Sequence, residues 1–322
     1  LWKVTRNGVQ VAAGECYDLE VPPRESRELV LDYAIPDIDT GEYHLELRFL
    51  LRTDTAYAAR SYEVAFEQFA LPVMVTRRPR VALSKYDALT CTEDKRSFTI
   101  AGSDFAYRID KGCGMLSGIF AKGREYLDGR TRLSLWRAPI DNDRNIIGAW
   151  KAEGYNTAGV KVYKTELSRN AAAEVAVRVT FSMAGVSYMP ILNDVLEYWV
   201  TSDGLLTVRV SVNVRETAMP LPRFGMEFVL PRGSEQLEYF GKGEHENYQD
   251  MCRSARVGLY KSTVSGQYFP YIRPQETGNH TAVRWLRVTN KVGCGLQFSG
   301  QPTFNFSALH FTAAYLEKAL YT

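Results

Sequence analysis

Apolar and polar residues alternate along most of this chain, with a period of two positions. Because successive side chains of a β-strand point to opposite faces, this period predicts strands with one buried face. The pattern therefore predicts an all-β fold of antiparallel strands. In the clearest stretches the apolar positions are Leu29, Leu31 and Tyr33; Tyr43, Leu45, Leu47, Phe49 and Leu51; Tyr62, Val64 and Phe66; and Val175, Val177, Val179 and Phe181.

Two hairpins are predicted from turn residues between alternating stretches. They connect residues 98–100 with 105–109 and residues 194–201 with 206–214. The first turn contains Gly102-Ser103 and the second contains Asp203-Gly204. Asp-Gly between two alternating runs is a strong signal of a two-residue type I′ turn.

Helical periodicity is nearly absent from the sequence. One helix is predicted near residue 320, where Thr312 can cap a segment that has Leu316 and Leu320 on one face. The scarcity of helix favours packed antiparallel sheets over an alternating α/β architecture.

A stretch without the alternating pattern divides the chain into two predicted domains. Residues 1–72 are predicted to form an immunoglobulin-like sandwich with about five of the usual seven strands, so its first strands are expected to be missing. Residues 73–88 contain prolines and an arginine cluster without a clear period, which predicts a linker. Residues 89–322 are predicted to form one large antiparallel sandwich.

Composition narrows the range of partners and compartments. Thirty-nine basic and 37 acidic residues leave a net charge of +2, which provides no general attraction for nucleic acid. The longest apolar run, residues 69–75, is too short to span a membrane. We expect free thiols and a cytoplasmic location, with a periplasmic location as the alternative, because the cysteines are odd in number and widely spaced: Cys16, Cys91, Cys113, Cys252 and Cys294.

Three polar segments interrupt the alternation: residues 135–143, 239–250 and 271–286. They mix donor-only, acceptor-only and dual side chains, which suits a ligand covered in hydroxyl groups. Aromatic side chains in them offer flat faces that stack on sugar rings. The predicted carbohydrate-binding or active-site-rim residues are Trp136, Arg137, Asp141, Asn142, Asp143, His245, Glu246, Asn247, Tyr248, Arg273, Glu276, Asn279, His280, Arg284 and Trp285.

Each polar segment also has an ordinary structural interpretation. The stretch 271–286 can be a connection between sheets that satisfies its own backbone. Tryptophans are more often packed in a core than exposed to a ligand. Residues alone leave both interpretations open.

Signatures of catalysis and metal binding are absent from the sequence. Asp141-Asn142-Asp143 begins like a calcium loop, but Ile146 stands where that loop requires glycine. The histidines lack metal-ligand spacing, and no serine lies in a strand–turn–helix elbow. We therefore predict no catalytic residue and no metal site.

Four motifs carry a family resemblance. They are Trp136-Arg-Ala-Pro-Ile-Asp-Asn-Asp143, Tyr239-Phe-Gly-Lys-Gly-Glu-His-Glu-Asn-Tyr248, Arg273-Pro-Gln-Glu-Thr-Gly-Asn-His-Thr281 and Phe304-Asn-Phe-Ser-Ala308. They resemble the C-terminal part of the large five-domain β-galactosidases of glycoside hydrolase family 2. Residues 1–72 are similar to the immunoglobulin-like fourth domain of that family. The resemblance implies a galactose-mutarotase-like supersandwich for residues 89–322.

The resemblance also implies what this sequence lacks. In the family, two glutamates on a (β/α)₈ barrel cleave the sugar, and the barrel also holds Mg and Na or K. A tryptophan near the family's C-terminus enters the sugar pocket, and this chain is expected to end before it. Residues 144–150 correspond to a segment at the pocket mouth. The implied partners are a β-galactoside, the enzyme's own barrel and further copies in a homo-oligomer.

Three functional hypotheses follow from the residues and the resemblance. The preferred one is a C-terminal β-galactosidase fragment, not catalytic alone, that supports and rims the barrel's active site. The second is a lectin-like module that binds galactosides. The third is a mutarotase-like enzyme, in which His245 with Glu246 or Glu276 would provide the acid and the base.

Overall fold

The computed structural model describes residues 1–17, 19–33, 41–72 and 87–321. Their strands are all paired antiparallel in five sheets, so the predicted all-β fold is confirmed. Within these ranges no helix is long and apolar enough to cross a membrane. The predicted linker, 73–88, lies outside the described residues except for its last two positions.

In the part of the chain that the structure describes, the first sheet contains four strands, and not the predicted five. They are β1 (Trp2–Arg6), β2 (Val9–Gly14), β3 (Tyr43–Leu50) and β4 (Glu63–Ala70), in the order β2-β1-β3-β4. The strand expected at residues 29–33 is wrong. Leu31 and Tyr33 pack against the buried residues Tyr43 and Leu45, but their backbone joins no ladder in the described ranges. An alternating pattern shows which side chains face a core, but it does not show whether the backbone has a neighbouring strand to pair with.

The largest core lies between two further sheets. One sheet contains β5 (Thr90–Glu93), β6 (Ser97–Ala101), β7 (Phe105–Asp110), β8 (Leu116–Ala121) and β9 (Arg124–Glu125). The other contains β11 (Gly159–Ala171), β12 (Glu174–Ala184), β13 (Leu192–Thr201) and β14 (Leu206–Val214). A short strand, β10 (Arg132–Ser134), lies between them in the sequence and belongs to neither sheet. The Tyr198 hydroxyl crosses this core and donates to the Gly114 carbonyl at 3.0 Å. A Cβ at Gly114 would lie 2.5 Å from Val179, so the close approach of the sheets requires glycine there.

The last sheet carries a second, smaller core. Its strands are β16 (Gln236–Gly243), β17 (Arg256–Thr263), β18 (Asn279–Thr289) and β19 (Gly295–Ser307), in the order β17-β16-β18-β19; before them, β15 (Gly225–Glu227) pairs with β10. Tyr239, Val283 and Phe306 are central to this core. The same sheet positions the polar segments described below.

Both predicted hairpins are present, but the type I′ turn is wrong. β6 pairs with β7, and β13 pairs with β14. In the second hairpin Gly204 N donates to Thr201 O at 2.9 Å, and Gly204 has a φ of 86° while Asp203 keeps a negative φ. The loop is therefore a type I turn closed by a left-handed glycine. Asp-Gly fits both turn types, so the dipeptide could not distinguish them.

The helices are short, and one of them was not predicted. They are α1 (Ile147–Ala152) and α2 (Ala313–Lys318), with 3₁₀ turns at Asp141–Asn145, Tyr155–Thr157 and Ser265–Gln267. The predicted cap is confirmed, since the Thr312 hydroxyl accepts from Tyr315 N at 3.2 Å. α2 ends before Leu320, which is exposed. α1 spans less than two turns, too few for a helical period to appear in the sequence.

The first sheet docks on the edge of the last one. The Gln68 amide substitutes for a neighbouring strand: its Nε2 donates to Val257 O at 2.9 Å, and Val257 N donates to its Oε1 at 2.7 Å. Arg256 lies 3.8 Å from the Phe66 ring centre and forms an ion pair with Glu63. These contacts satisfy the outward backbone groups of Val257, at the start of the edge strand β17.

We predict that the first sheet is the less stable part of the chain. Among the described residues, its buried apolar cluster has three members, Val4, Tyr43 and Leu45, whereas the sandwich core has 23. β3 and β13 are a matched pair, since each is an inner strand of a four-stranded sheet. In native-state hydrogen exchange, amides of β3 should exchange about tenfold faster or more than those of β13. Equal or greater protection of β3 would contradict the prediction.

Candidate functional site

The three polar segments meet at one end of the last sheet. β16 and β18 are neighbours in this sheet, so the residues that follow β16 lie beside the start of β18. The segment 135–143 is attached to this end of the sheet by a backbone hydrogen bond from Glu276 N to Ala138 O at 3.1 Å. Residues far apart in the sequence therefore form one polar cluster, and its centre is Asn247.

Asn247 is fully buried, and all its polar groups are used. Its backbone N donates to Asn279 O, and Asn279 Nδ2 donates to Asn247 O, both at 2.7 Å. Its Oδ1 accepts from Thr281 N at 3.0 Å and from the Thr281 hydroxyl at 2.6 Å. Its Nδ2 donates to the carbonyls of Lys242 and His245, each at 3.1 Å. One side chain thus fixes the loop after β16 to the first residues of β18.

The Glu246 carboxylate holds the turn that leads into β18. It accepts from Gly278 N at 2.7 Å, from the Thr277 hydroxyl at 3.2 Å and from the Tyr271 hydroxyl. Burial and the hydrogen bond to Glu246 raise the pKa of Tyr271 to about 12. Burial, with the nearby charges of Glu276 and Glu246, also raises the pKa of Tyr248. Both phenols therefore remain protonated and donate to the Glu246 side chain.

His280 is a buried, neutral member of the cluster. Burial lowers the pKa of its imidazole to about 4. Its Nε2 lies 2.5 Å from Gln267 Oε1, and its Nδ1 lies 3.1 Å from the Tyr239 hydroxyl. If Nε2 carries the hydrogen, Nδ1 accepts from Tyr239, and both contacts are satisfied at once. The ring stacks on Phe306, 5.1 Å between centres, which ties it to the smaller core.

Glu276 is a buried carboxylate with a cationic partner. Only 4% of the residue is exposed, and its Oε1 accepts from Arg223 and, at 3.4 Å, from the Ser307 hydroxyl. A carboxylate removed from water is costly unless it is paired in this way. The ion pair therefore anchors the segment whose backbone binds Ala138.

Residues 136–143 are held from both ends. Trp136 is buried, and its Nε1 donates to Glu317 on α2 at 2.8 Å. Arg137 donates to Asp143 Oδ1 at 2.7 Å, while Asp143 Oδ2 accepts from Ile140 N at 3.0 Å. Asp143 thus caps the 3₁₀ turn and pairs with a cation. It is buried, whereas its neighbour Asp141 points into solvent.

The groups left open to solvent are few. Among the predicted site residues, four are exposed: Asp141, Asn142, His245 and Arg273. His245 Nε2 contacts the Ser254 hydroxyl at 3.1 Å. The interpretation of residues 271–286 as a connection between sheets is wrong for the second half, because 276–281 are buried and β18 is an inner strand. Their mixed polar groups satisfy one another.

Two predicted site residues lie further along β18, away from the cluster. Arg284 Nε donates to Glu42 Oε2 at 2.8 Å and its Nη2 pairs with the other carboxylate oxygen, a bidentate contact to the first sheet. Trp285 is half-buried beneath the Arg287 guanidinium, 4.9 Å from its ring centre. In this structure both residues contribute to packing between elements.

Sequence reasoning missed the partners that complete the cluster. Arg223, Gln267 and Glu317 pair with Glu276, His280 and Trp136 respectively. The only available signal was indirect: a buried carboxylate needs a cation, and a buried indole N–H needs an acceptor. That rule predicts that a partner exists without identifying it.

The described residues do not suit a metal ion. Among them, no group of three or more His, Cys, Asp or Glu side chains is arranged to hold one. The family resemblance implies metals on the barrel, and the described residues of this cluster provide no comparable ligand set.

Comparisons with known proteins agree with the motifs. Residues 1–72 match the family described as "Beta-galactosidase, domain 4", and residues 101–322 match the family described as "Beta galactosidase small chain". A β-galactosidase of Priestia megaterium is 32% identical over 98% of this chain. Those of Actinobacillus pleuropneumoniae and Streptococcus thermophilus are 29% and 28% identical over 97% and 99%.

The chain spans about 30% of the length of these curated relatives. Its resemblance to the C-terminal part of a large β-galactosidase is confirmed. Because the small-chain match alone covers well over half of the sequence, the chain belongs to the β-galactosidase small-chain family.

Proposed function

We propose that this chain supports and rims the active site of a β-galactosidase that hydrolyses terminal β-galactosides on a (β/α)₈ barrel outside the sequence. The names of its relatives and the two adjacent family matches support this assignment. The proposal includes a cytoplasmic location, with a periplasmic alternative, a homo-oligomeric enzyme, and Mg with Na or K bound by the barrel.

One observation carries the proposed role: a buried framework holds a short exposed tract. Glu276 fixes Ala138 through its backbone, and Asp143 fixes the turn that contains Asp141 and Asn142. Because these supports are buried and paired, the exposed side chains are presented by a rigid base. Residues at the rim of an active site must hold the substrate in a fixed position, because a misplacement of about 1 Å in a bound substrate can lower the rate about a hundredfold.

The same framework argues against independent catalysis. Retaining glycoside hydrolysis needs two carboxyl groups about 5 Å apart, one of them free to act as nucleophile. Glu276 pairs with Arg223, and Glu246 is held by several donors, so both carboxylates already have structural roles. The mutarotase-like hypothesis depends on the same two residues and gains no support from their environment.

We predict that the isolated chain does not release nitrophenol from a nitrophenyl β-galactoside. Neither internally paired carboxylate is free to serve as a nucleophile. The assay should be run beside the assembled enzyme, with the barrel fused or supplied as a separate chain, as the positive control. Turnover that persists through repurification and follows this polypeptide would refute the proposed division of roles. Galactose binding by the isolated chain, measured calorimetrically, would favour the lectin-like hypothesis.

Asp141 and Asp143 should respond differently to substitution. Asp143→Ala leaves Arg137 and Ile140 N without their acceptor, so it should lower the free energy of unfolding by about 1–3 kcal/mol. Asp141→Ala removes an exposed carboxylate and should leave stability nearly unchanged, but it should lower kcat/KM of the assembled enzyme. Denaturant titration of the chain and steady-state kinetics of the assembled enzyme measure the two effects.

Asp104→Ala is a matched control, because Asp104 is an exposed aspartate in the turn between β6 and β7. It should change neither stability nor kinetics. If Asp141→Ala gives folded enzyme with unaltered kcat/KM, the exposed tract is scaffolding and the rim role is wrong.

A further inference from the structure

Strand β14 forms an open sheet edge nine residues long. Thr201 N donates to Leu205 O at one end of the hairpin, and Arg215 N donates to Ile191 O at the other. Odd-numbered residues of β14 therefore point their backbone groups at β13, and even-numbered residues point theirs outward. The outward groups of Val208, Val210 and Val212 have no partner among the described residues.

The edges at β17, β19 and β11 carry features that hinder strand pairing. At the edge of β17, the Gln68 amide binds both backbone groups of Val257. The edge at β19 contains Pro302, which lacks an N–H, and its register shifts. The edge at β11 has register shifts and four charged residues: Lys161, Lys164, Glu166 and Arg169. These features are the usual protection against strand pairing.

β14 has none of these protections. It contains no proline, its register with β13 is unbroken, and Arg209 is its single charged residue. Its core-facing side chains are all apolar: Leu206, Val208, Val210, Val212 and Val214. Leu206 and Val210 pack on the sandwich core, but Val208, Val212 and Val214 remain 36%, 39% and 38% exposed. The edge thus combines free backbone groups with an incompletely covered apolar row.

We propose that β14 pairs antiparallel with β14 of a second copy of this chain, about a two-fold axis through Val210. This register places Leu206 opposite Val214 and Val208 opposite Val212, so the outward backbone groups of both strands meet. All nine residues of each strand are paired, and the apolar rows of the two copies become continuous.

Charge placement supports a second copy as the occupant. On the solvent-facing side, the same axis puts Arg209 opposite Ser211 of the other copy, and Thr207 opposite Asn213. No like charges face each other, although the strand is paired with itself. A shift of the axis by one residue, to Arg209, would oppose two arginines and shorten the paired segment.

The first test is the mass of the 322-residue chain in sedimentation velocity as its concentration is raised. The wild-type chain should approach a dimer. Val208→Pro removes an outward N–H without removing a bond to β13, so it should raise the dimer dissociation constant at least tenfold. Val208→Thr keeps the N–H at the same position and is the matched control. Circular dichroism and denaturant titration confirm that both variants are folded.

A second test addresses the register. Ser211→Glu should tighten the dimer about two- to fivefold, because the new carboxylate faces Arg209 of the other copy, and Ser211→Arg should weaken it by a similar factor. If the axis lay at Ser211 itself, Glu would face Glu and weaken the dimer, which would overturn the proposed register. A monomeric wild-type chain, or association unaffected by Val208→Pro, would overturn the interface.

Discussion

The hydrogen bonds of Asn247 set the geometry on which the site depends. The hydrogen bonds of a buried amide contribute little net stability, because the same groups bind water in the unfolded chain. Removing one of them is costly, however, because each lost partner leaves another buried group unpaired. Asn247 joins the loop after β16 to Asn279 and Thr281. From there the chain leads to Glu276 and then, through one backbone bond, to Ala138. These connected hydrogen bonds, from Asn247 through Glu276 to Ala138, determine the position of the exposed tract at Asp141.

Burial of so many polar groups serves position more than stability. An ion pair such as Glu276 with Arg223 gains Coulombic energy but pays for desolvation, so its net contribution to folding is small. Removing only one of the two charges is destabilising, because the other charge is then buried without a partner. This penalty restricts the segment to the one arrangement in which both are paired. The same reasoning applies to His280, which is neutral because burial disfavours its charged form. A framework of this kind adds little net stability but holds the segment in a single defined geometry.

The sequence predicted what depends on local pattern and missed what depends on distant pairing. Alternation identified β3, β12 and the two hairpins, because side-chain direction in a strand follows directly from residue number. It failed at residues 29–33, where the side chains reach the core but the backbone finds no neighbour. The three polar segments were recognised by composition and motif. Their convergence required Arg223 to meet Glu276, 53 positions away, and no local signal encodes such a contact.

The last sheet connects the polar cluster with the first sheet. β18 begins in the polar cluster at Asn279 and continues to Arg284, which binds Glu42 of the first sheet. The adjacent strand β16 leads into the loop that contains Asn247, and its other neighbour, β17, receives Gln68. Since the strands of this sheet are hydrogen-bonded to one another, the first sheet and the exposed tract are attached to the same element. The docking of the first sheet can therefore influence the orientation of the rim without contact between them.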